Sequence, residues 1–185
     1  MHNPNSAAAG AARPLPAACL LTLIATLLAP VSQADTTPSL INRPILTLAT
    51  AQRMAKACEA RQLSQKRPPV SIAIYDQGAN LLLFHRMTRA SLGSAAVAME
   101  KGKSTAHFAV PTRYWGKAAY GDKGSLAIAF SSSITTLTGG LPIKTEQGVH
   151  LGGIGVSGSS GDDDEACAQA AIDAVKADIN TATKP

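Results

Sequence analysis

Aromatic residues are scarce in this chain: Phe, Tyr and Trp make up 4% of its 185 residues, with a single Trp. Bulky rings fill most deep pockets, so their shortage points instead to small side chains that let helices pack closely on a sheet. Charged residues are also few, at 16%, and the net charge of +5 is scattered, with Lys66-Arg67 the longest basic run. A nucleic-acid surface needs clustered cations with aromatics between them, and none is visible. Only 3 cysteines occur and none has a C-x-x-C partner, which argues against a thiol-redox motif or a thiolate zinc site. No apolar run reaches the roughly 20 residues that a spanning helix needs. Also missing are a phosphate loop, a metal triad and a nucleophile–base–acid set, since Ser157 and Ser159 have no identifiable partner.

What is present begins with a leader. Arg13 precedes an apolar run from Ala17 to Ala29, followed by Pro30 and by small residues, Ser32 and Ala34, at the two positions a signal peptidase reads. The spacing predicts a signal peptide over residues 1–34, an extended N-terminal arm over 35–46, and a single domain over 47–180. The protein is therefore expected to be exported, periplasmic or extracellular, with no membrane segment after cleavage. Cys19 leaves with the leader. Cys58 and Cys167 remain on predicted helices, and in an oxidising compartment they can form a bridge or pack as two small buried hydrophobes.

Hydrophobic spacing orders the rest of the chain. Thr47 can cap a helix with Leu48, Ala51, Met54, Ala55 and Cys58 on one face, stopped by Pro68-Pro69. Val70–Tyr75 and Leu81–Arg86 read as a hairpin around Asp76–Asn80, with Gly78 supplying positive φ and both faces covered. Ser94 can cap a second helix to about Phe108, with small residues on one side and Glu100, Lys101, Lys103 and His107 on the other. A helical turn from Thr112 through Tyr114, Trp115 and Tyr120 follows, then an irregular strand within Leu126–Leu137.

The segment from Gly139 to Val175 organises the whole. It reads as a strand (Leu141–Lys144), a tight turn, a longer strand (Val149–Ser157) and a closing helix. Val149 and Leu151 share one parity, Ile154 and Val156 the other, with Gly152 and Gly153 between them. Either both faces are buried or a bulge shifts the register. Three glycines in one strand also imply that another backbone or a flat ligand comes close. The Asp162-Asp163-Asp164-Glu165 run suits a helix N-terminus, with Asp162 and Glu165 at capping-box spacing. That explains the carboxylates more cheaply than an iron-binding cluster does.

Four stretches in order, VSIAIYDQGANLLLFHRM (Val70–Met87), KGKSTAHFAVPT (Lys101–Thr112), GGLPI (Gly139–Ile143) and GGIGVSG (Gly152–Gly158) with Asp164-Glu165 after it, resemble the GlcG/HbpS family of haem-binding proteins, which is related to the C-terminal domain of PduO-type adenosyltransferases. The chain departs from that pattern at Asp76-Gln77-Gly78-Ala79 and at Arg86-Met87-Thr88-Arg89, where an acid is lost and a cation gained. The resemblance implies an α+β, profilin-like three-layer α/β/α fold: a five-stranded antiparallel sheet with helices on both faces, usually assembled into homo-oligomers. It also implies haem as cofactor, in binding, redox sensing or degradation outside the cytoplasm. The alternatives are an accessory enzyme of organic-acid metabolism and a non-catalytic oligomeric partner of another exported protein. A binding protein is favoured over a catalyst.

Haem binding needs an axial ligand, an apolar slot and cations for the propionates. Of His85, His107 and His150, the two on strands suit structural hydrogen bonds. His107 lies on a helix face near Lys103, Phe108, Tyr114 and Trp115 and is the candidate iron ligand, its plainer reading being an exposed histidine at a helix end. Tyr75, Tyr114 and Tyr120 are possible oxygen ligands. Lys101, Lys103 and Arg113 could pair with propionates, or simply form a solvated face.

Overall fold

A computed structural model describes residues 43–181. The expected signal peptide, Cys19 and residues 35–42 of the expected arm lie outside them.

The first helix, α1 (Leu48–Ser64), starts where the sequence places it: the Thr47 hydroxyl accepts the Thr50 amide at 3.2 Å. It buries Ala51, Met54, Ala55 and Cys58, while Leu48 stays half exposed. Strands β1 (Ser71–Asp76) and β2 (Leu81–Arg86) form the hairpin. Its turn is held by Asp76, whose carboxylate accepts the Gly78 and Asn80 amides at 2.8 and 2.9 Å. The positive φ falls on Ala79 (58°) rather than Gly78, because the Asp76 cage bends the chain one residue later. β2 is an edge strand, so the expectation that both its faces are covered fails: Leu81 and Phe84 are exposed.

Helix α2 (Ser94–Phe108) begins at the expected cap residue itself, one residue earlier than the sequence places it. Gly93 takes the cap position, and the Ser94 hydroxyl turns inward to meet that of Ser71 at 2.8 Å. Helix α3 (Thr112–Tyr120) precedes a 3-10 helix (Leu126–Phe130), then β3 (Gly140–Lys144), β4 (His150–Ser157), α4 (Gly161–Asp173) and a short α5 (Lys176–Thr181).

The sheet has the order β2-β1-β4-β3 with every neighbouring pair antiparallel. Helices α1 and α4 cover one face and α2 the other, giving an α+β three-layer arrangement. Four strands, not the expected five, occur among the described residues. The stretch Leu126–Leu137 forms the 3-10 helix and then coil, with no buried residue in the helical turn. The outer edge of β3 offers a further strand little. The Gly140 amide there donates to the Thr112 hydroxyl at 3.0 Å, and Pro142, of the same parity, has no N–H to give.

Both readings of the glycine-rich strand hold. Against β1, β4 pairs without interruption from Ser71↔Ser157 to Asp76↔Gly152. Against β3 the register slips between Ile143 and Lys144, leaving Leu151 as an extra residue beside Gly152, whose φ is +147°. This bulge reverses the parity, so Leu151, Ile154 and Val156 all join the core under α1 and α4. On the opposite face Gly153 and Gly155 lie directly against α2. A Cβ on Gly153 would stand 2.5 Å from both the Gly102 carbonyl oxygen and the Ala106 amide nitrogen. The close-approaching backbone is α2 itself.

A disulfide joins Cys58 to Cys167, tying α1 to α4 with the Cα atoms 4.8 Å apart. Of the two readings the cysteines allowed, the structure has the bridge.

Candidate functional site

The acidic run at the start of α4 is divided among three tasks. Ser160, not Asp162, is the cap, its hydroxyl accepting the Asp163 amide at 3.3 Å. Asp163 takes hydrogen bonds from Arg61 at 2.9 Å and from Gln62 at 3.2 Å. Burial opposes its charge, but the bonds from Arg61, Ser159 and Gln62 outweigh that and hold its carboxyl below the usual range. Asp164 is buried and pairs with Lys101 at 2.9 Å, and the same ammonium donates to the Val156 carbonyl at 2.8 Å. Burial draws the two groups' proton affinities toward each other, pushing Lys101 down and Asp164 up, while their mutual attraction resists both shifts. Among the described residues, no group of three His, Cys, Asp or Glu is placed to hold a metal ion.

Two of the expected propionate partners are therefore already engaged. Lys101 does not sit on a solvated face; it is 3% exposed and reaches under the sheet end to α4. A four-carbon stem allowed that reach, and helical spacing alone could not reveal it. Arg113, on α3, pairs with Glu165 at 3.1 Å and with Asp162, and these carboxylates raise its already high pKa.

The remaining candidates fall into two neighbouring groups. His107 and Phe108 end α2, both exposed, and meet α3 in a ladder of rings. The centroid separations are 6.2 Å for His107–Phe108, 5.3 Å for Phe108–Trp115 and 5.0 Å for Tyr114–Trp115, the last two edge-on. The Trp115 indole N–H is buried there with no hydrogen-bond partner among the described residues. Lys103 belongs instead to a cleft of about 510 Å³ along the outer side of α2. Ala96, Met99, Glu100 and Ser104 line it from the same helix, Ser131–Thr135 form its far wall, and Tyr75 reaches it from the end of β1. Phe108, Arg113, Tyr114 and His107 do not line the cleft. His107 nonetheless lies one helical turn beyond Lys103 on the stripe 96-99-100-103-107, about 6 Å further along the axis.

Tyr75 is 7% exposed, and burial raises the pKa of its phenol. Its ring is seated against Gly102, where a Cβ would come within 2.9 Å of Cδ2. Of the other histidines, His150 bonds the Ala106 carbonyl through Nε2 at 2.8 Å, as a structural histidine does. His85 stands 3.2 Å from Glu59 at the sheet edge. Asp76 is spent on its own turn, where its carboxylate accepts the Gly78 and Asn80 amides. The cleft's contributors Met99, Glu100, Ser131–Ser133 and Ile134 are absent from the sequence-level candidate set. The only signal for them is the i, i+3, i+4, i+7 stripe on α2, since the wall is coil whose path follows no periodicity.

Residues 46–173 match the family described as "Haem degrading protein HbpS-like". A 15.0 kDa Citrobacter freundii protein from the dhaT-dhaS intergenic region is 31% identical over 134 residues, covering 69% of this chain and 90% of that protein. The crystal structure of HbpS superposes with a TM-score of 0.64 at 28% identity, over 72% of this chain and 92% of the other. That of a PduOC:heme complex superposes at 0.65 with 23% identity, over 71% and 95%, a likeness of fold. With the family's pattern spanning most of the chain and the same layered architecture in its solved structures, this protein belongs to the HbpS-like family.

Proposed function

We propose that this is an exported haem-binding protein that holds the porphyrin along the outer side of α2, in the cleft that Tyr75, Met99 and Lys103 line. The carrying observation is the cleft: about 510 Å³, within the range of small-molecule sites, with apolar and polar lining and a cation at its rim. The donor set fits the group. Met99, Ala96 and Ile134 offer apolar surface, Lys103 offers an ammonium for a propionate, and His107 continues the same helical stripe with an imidazole that no structural bond engages among the described residues. Bound haem would supply redox or ligand-binding chemistry at its iron. The family description and the haem complex of a protein of the same fold support this reading. Export is supported by the leader-like segment and by the Cys58–Cys167 bridge, which persists in oxidising compartments.

The test is a hemin titration of the mature protein followed in the Soret region. Wild type is expected to saturate at one haem per chain, and His107→Ala to lose at least 10-fold in affinity with a shifted Soret maximum. An unchanged spectrum and affinity in that variant moves the iron ligand away from His107. A wild-type protein that perturbs no hemin spectrum overturns the functional reading.

A further inference from the structure

Tyr75 is the cleft residue whose ring is buried in the packing under α2 while its hydroxyl opens to the cleft. It is more than nine-tenths buried, yet among the described residues no hydrogen bond engages its hydroxyl, and burial is the only influence on its phenol. The oxygen itself is not sealed in, and its hydrogen can be donated to whatever fills the cleft. The ring is also placed with care. It pairs across the sheet with Gly153, lies under α2 at Gly102, and packs with Ala73, Ala98, Ala106 and Met99. A side chain on Gly102 would strike the ring at 2.9 Å, so the small residues that bring α2 onto the sheet also keep a slot for this tyrosine. Gly102 is the neighbour of Lys103. The turn of α2 that holds the phenol therefore also carries the cleft's ammonium.

We propose that Tyr75 is a specificity-determining residue of the cleft, donating its phenol hydrogen to the carboxylate of the bound molecule that Lys103 neutralises. This rests on the haem-binding reading, in which that carboxylate is a porphyrin propionate. Because burial raises the phenol's pKa, it stays protonated, and so a donor, throughout the neutral range. The Ser131–Ser133 wall opposite supplies further hydroxyls to the same cleft. Glu100, also in the lining, repels a carboxylate, so an anion is held only where the phenol and the ammonium outweigh it.

The experiment compares hemin with hemin dimethyl ester on wild type and Tyr75→Phe, an isosteric change that keeps the ring packing. Hydrogen bonds to charged acceptors set the expected loss at about 10-fold or more for hemin. For the diester, whose carboxylates are masked, wild type and variant should agree within about 3-fold. Lys103→Gln should follow the same pattern, and the far-ultraviolet spectrum and melting temperature of each variant control for folding. Equal hemin affinity in wild type and Tyr75→Phe overturns the assignment, as does an equal loss for hemin and diester, which would make the effect one of packing. These outcomes leave haem binding by wild type intact. A wild type that binds neither compound refutes the functional reading itself, and this assignment with it.

Discussion

Replacing Gly153 with alanine tests the central packing claim, that α2 rests on the bare backbone of β4. The added Cβ would stand 2.5 Å from the Gly102 carbonyl oxygen and the Ala106 amide nitrogen, and closer still to the Thr105 hydroxyl. Carbon–oxygen contacts settle near 3.3 Å or more, so α2 must rise by about 0.8 Å at this point. It cannot rise freely, because Lys101 on the same helix is fastened to Asp164 at 2.9 Å and to the Val156 carbonyl at 2.8 Å. Overpacking of this kind costs about 1–3 kcal/mol, and stretching a buried ion pair adds to it, so about 2–4 kcal/mol is expected. With m near 1.5 kcal/mol/M in urea, the unfolding midpoint should fall by about 2 M at unchanged slope. Gly93→Ala is the control. Its Cβ meets nothing within 4 Å, and its φ of −75° suits any residue, so stability should change by no more than about 1 kcal/mol, upward if at all. A Gly153→Ala midpoint within about 0.3 M of the parent would refute the close-packed arrangement.

Other perturbations separate the remaining ties. Lys101→Met leaves the buried Asp164 carboxylate unpaired and should cost about 3–5 kcal/mol by urea melting, with much of it recovered in Lys101→Met/Asp164→Leu; a double variant no better than the single contradicts the pairing. Reducing the Cys58–Cys167 bridge, which spans 109 residues, should destabilise by about 2–4 kcal/mol in guanidinium, and two free thiols by non-reducing mass spectrometry of protein made in an oxidising compartment would remove the bridge altogether. Asp163 has a folded pKa below its unfolded value, so its contribution is complete above the ordinary carboxylate pKa near 4 and is lost as pH falls through the lower folded value. Asp163→Asn should therefore shrink the difference in melting temperature between pH 6 and pH 3, and an acid limb unchanged from wild type speaks against that linkage.

How much of this was legible in the chain depends on the range of the interaction involved. Local chemistry read well. Thr47 caps α1, Asp76 closes its turn, and the alternation of Val70–Tyr75 makes a strand because each signal lies within a few residues of its effect. The parity change at Gly152 was visible too, and the bulge is its direct consequence. Failures came where a distant partner decides. Ser94 resembles a cap until Ser71, on the sheet face beneath α2, claims its hydroxyl. Asp162 resembles a cap until Arg113 draws it aside and Ser160 takes its place. Lys101 sits at a helical position like that of its exposed neighbours, and only the approach of α4 makes it a buried cation. The missing fifth strand has the same origin. Residues rich in β-formers near Ile134 find no free edge, because Thr112 and Pro142 have already closed it.

The same long-range logic places the cleft. A helix laid on glycines sits closer to its sheet than one laid on valines or leucines, and the chain that would extend the sheet must pass outside it. Ser131–Thr135 do this, crossing the outer side of α2, where the Thr135 amide donates to the Ser104 hydroxyl at 3.4 Å. The space between coil and helix is what remains, with the end of β1 opening into it through Tyr75. The glycines that make β4 look like a weak strand are thus the cause of both the tight inner face and the outer crevice. Filling one of them should disturb Tyr75 and the cleft as well as the core, so Gly153→Ala is expected to weaken hemin binding even at temperatures where the protein remains folded.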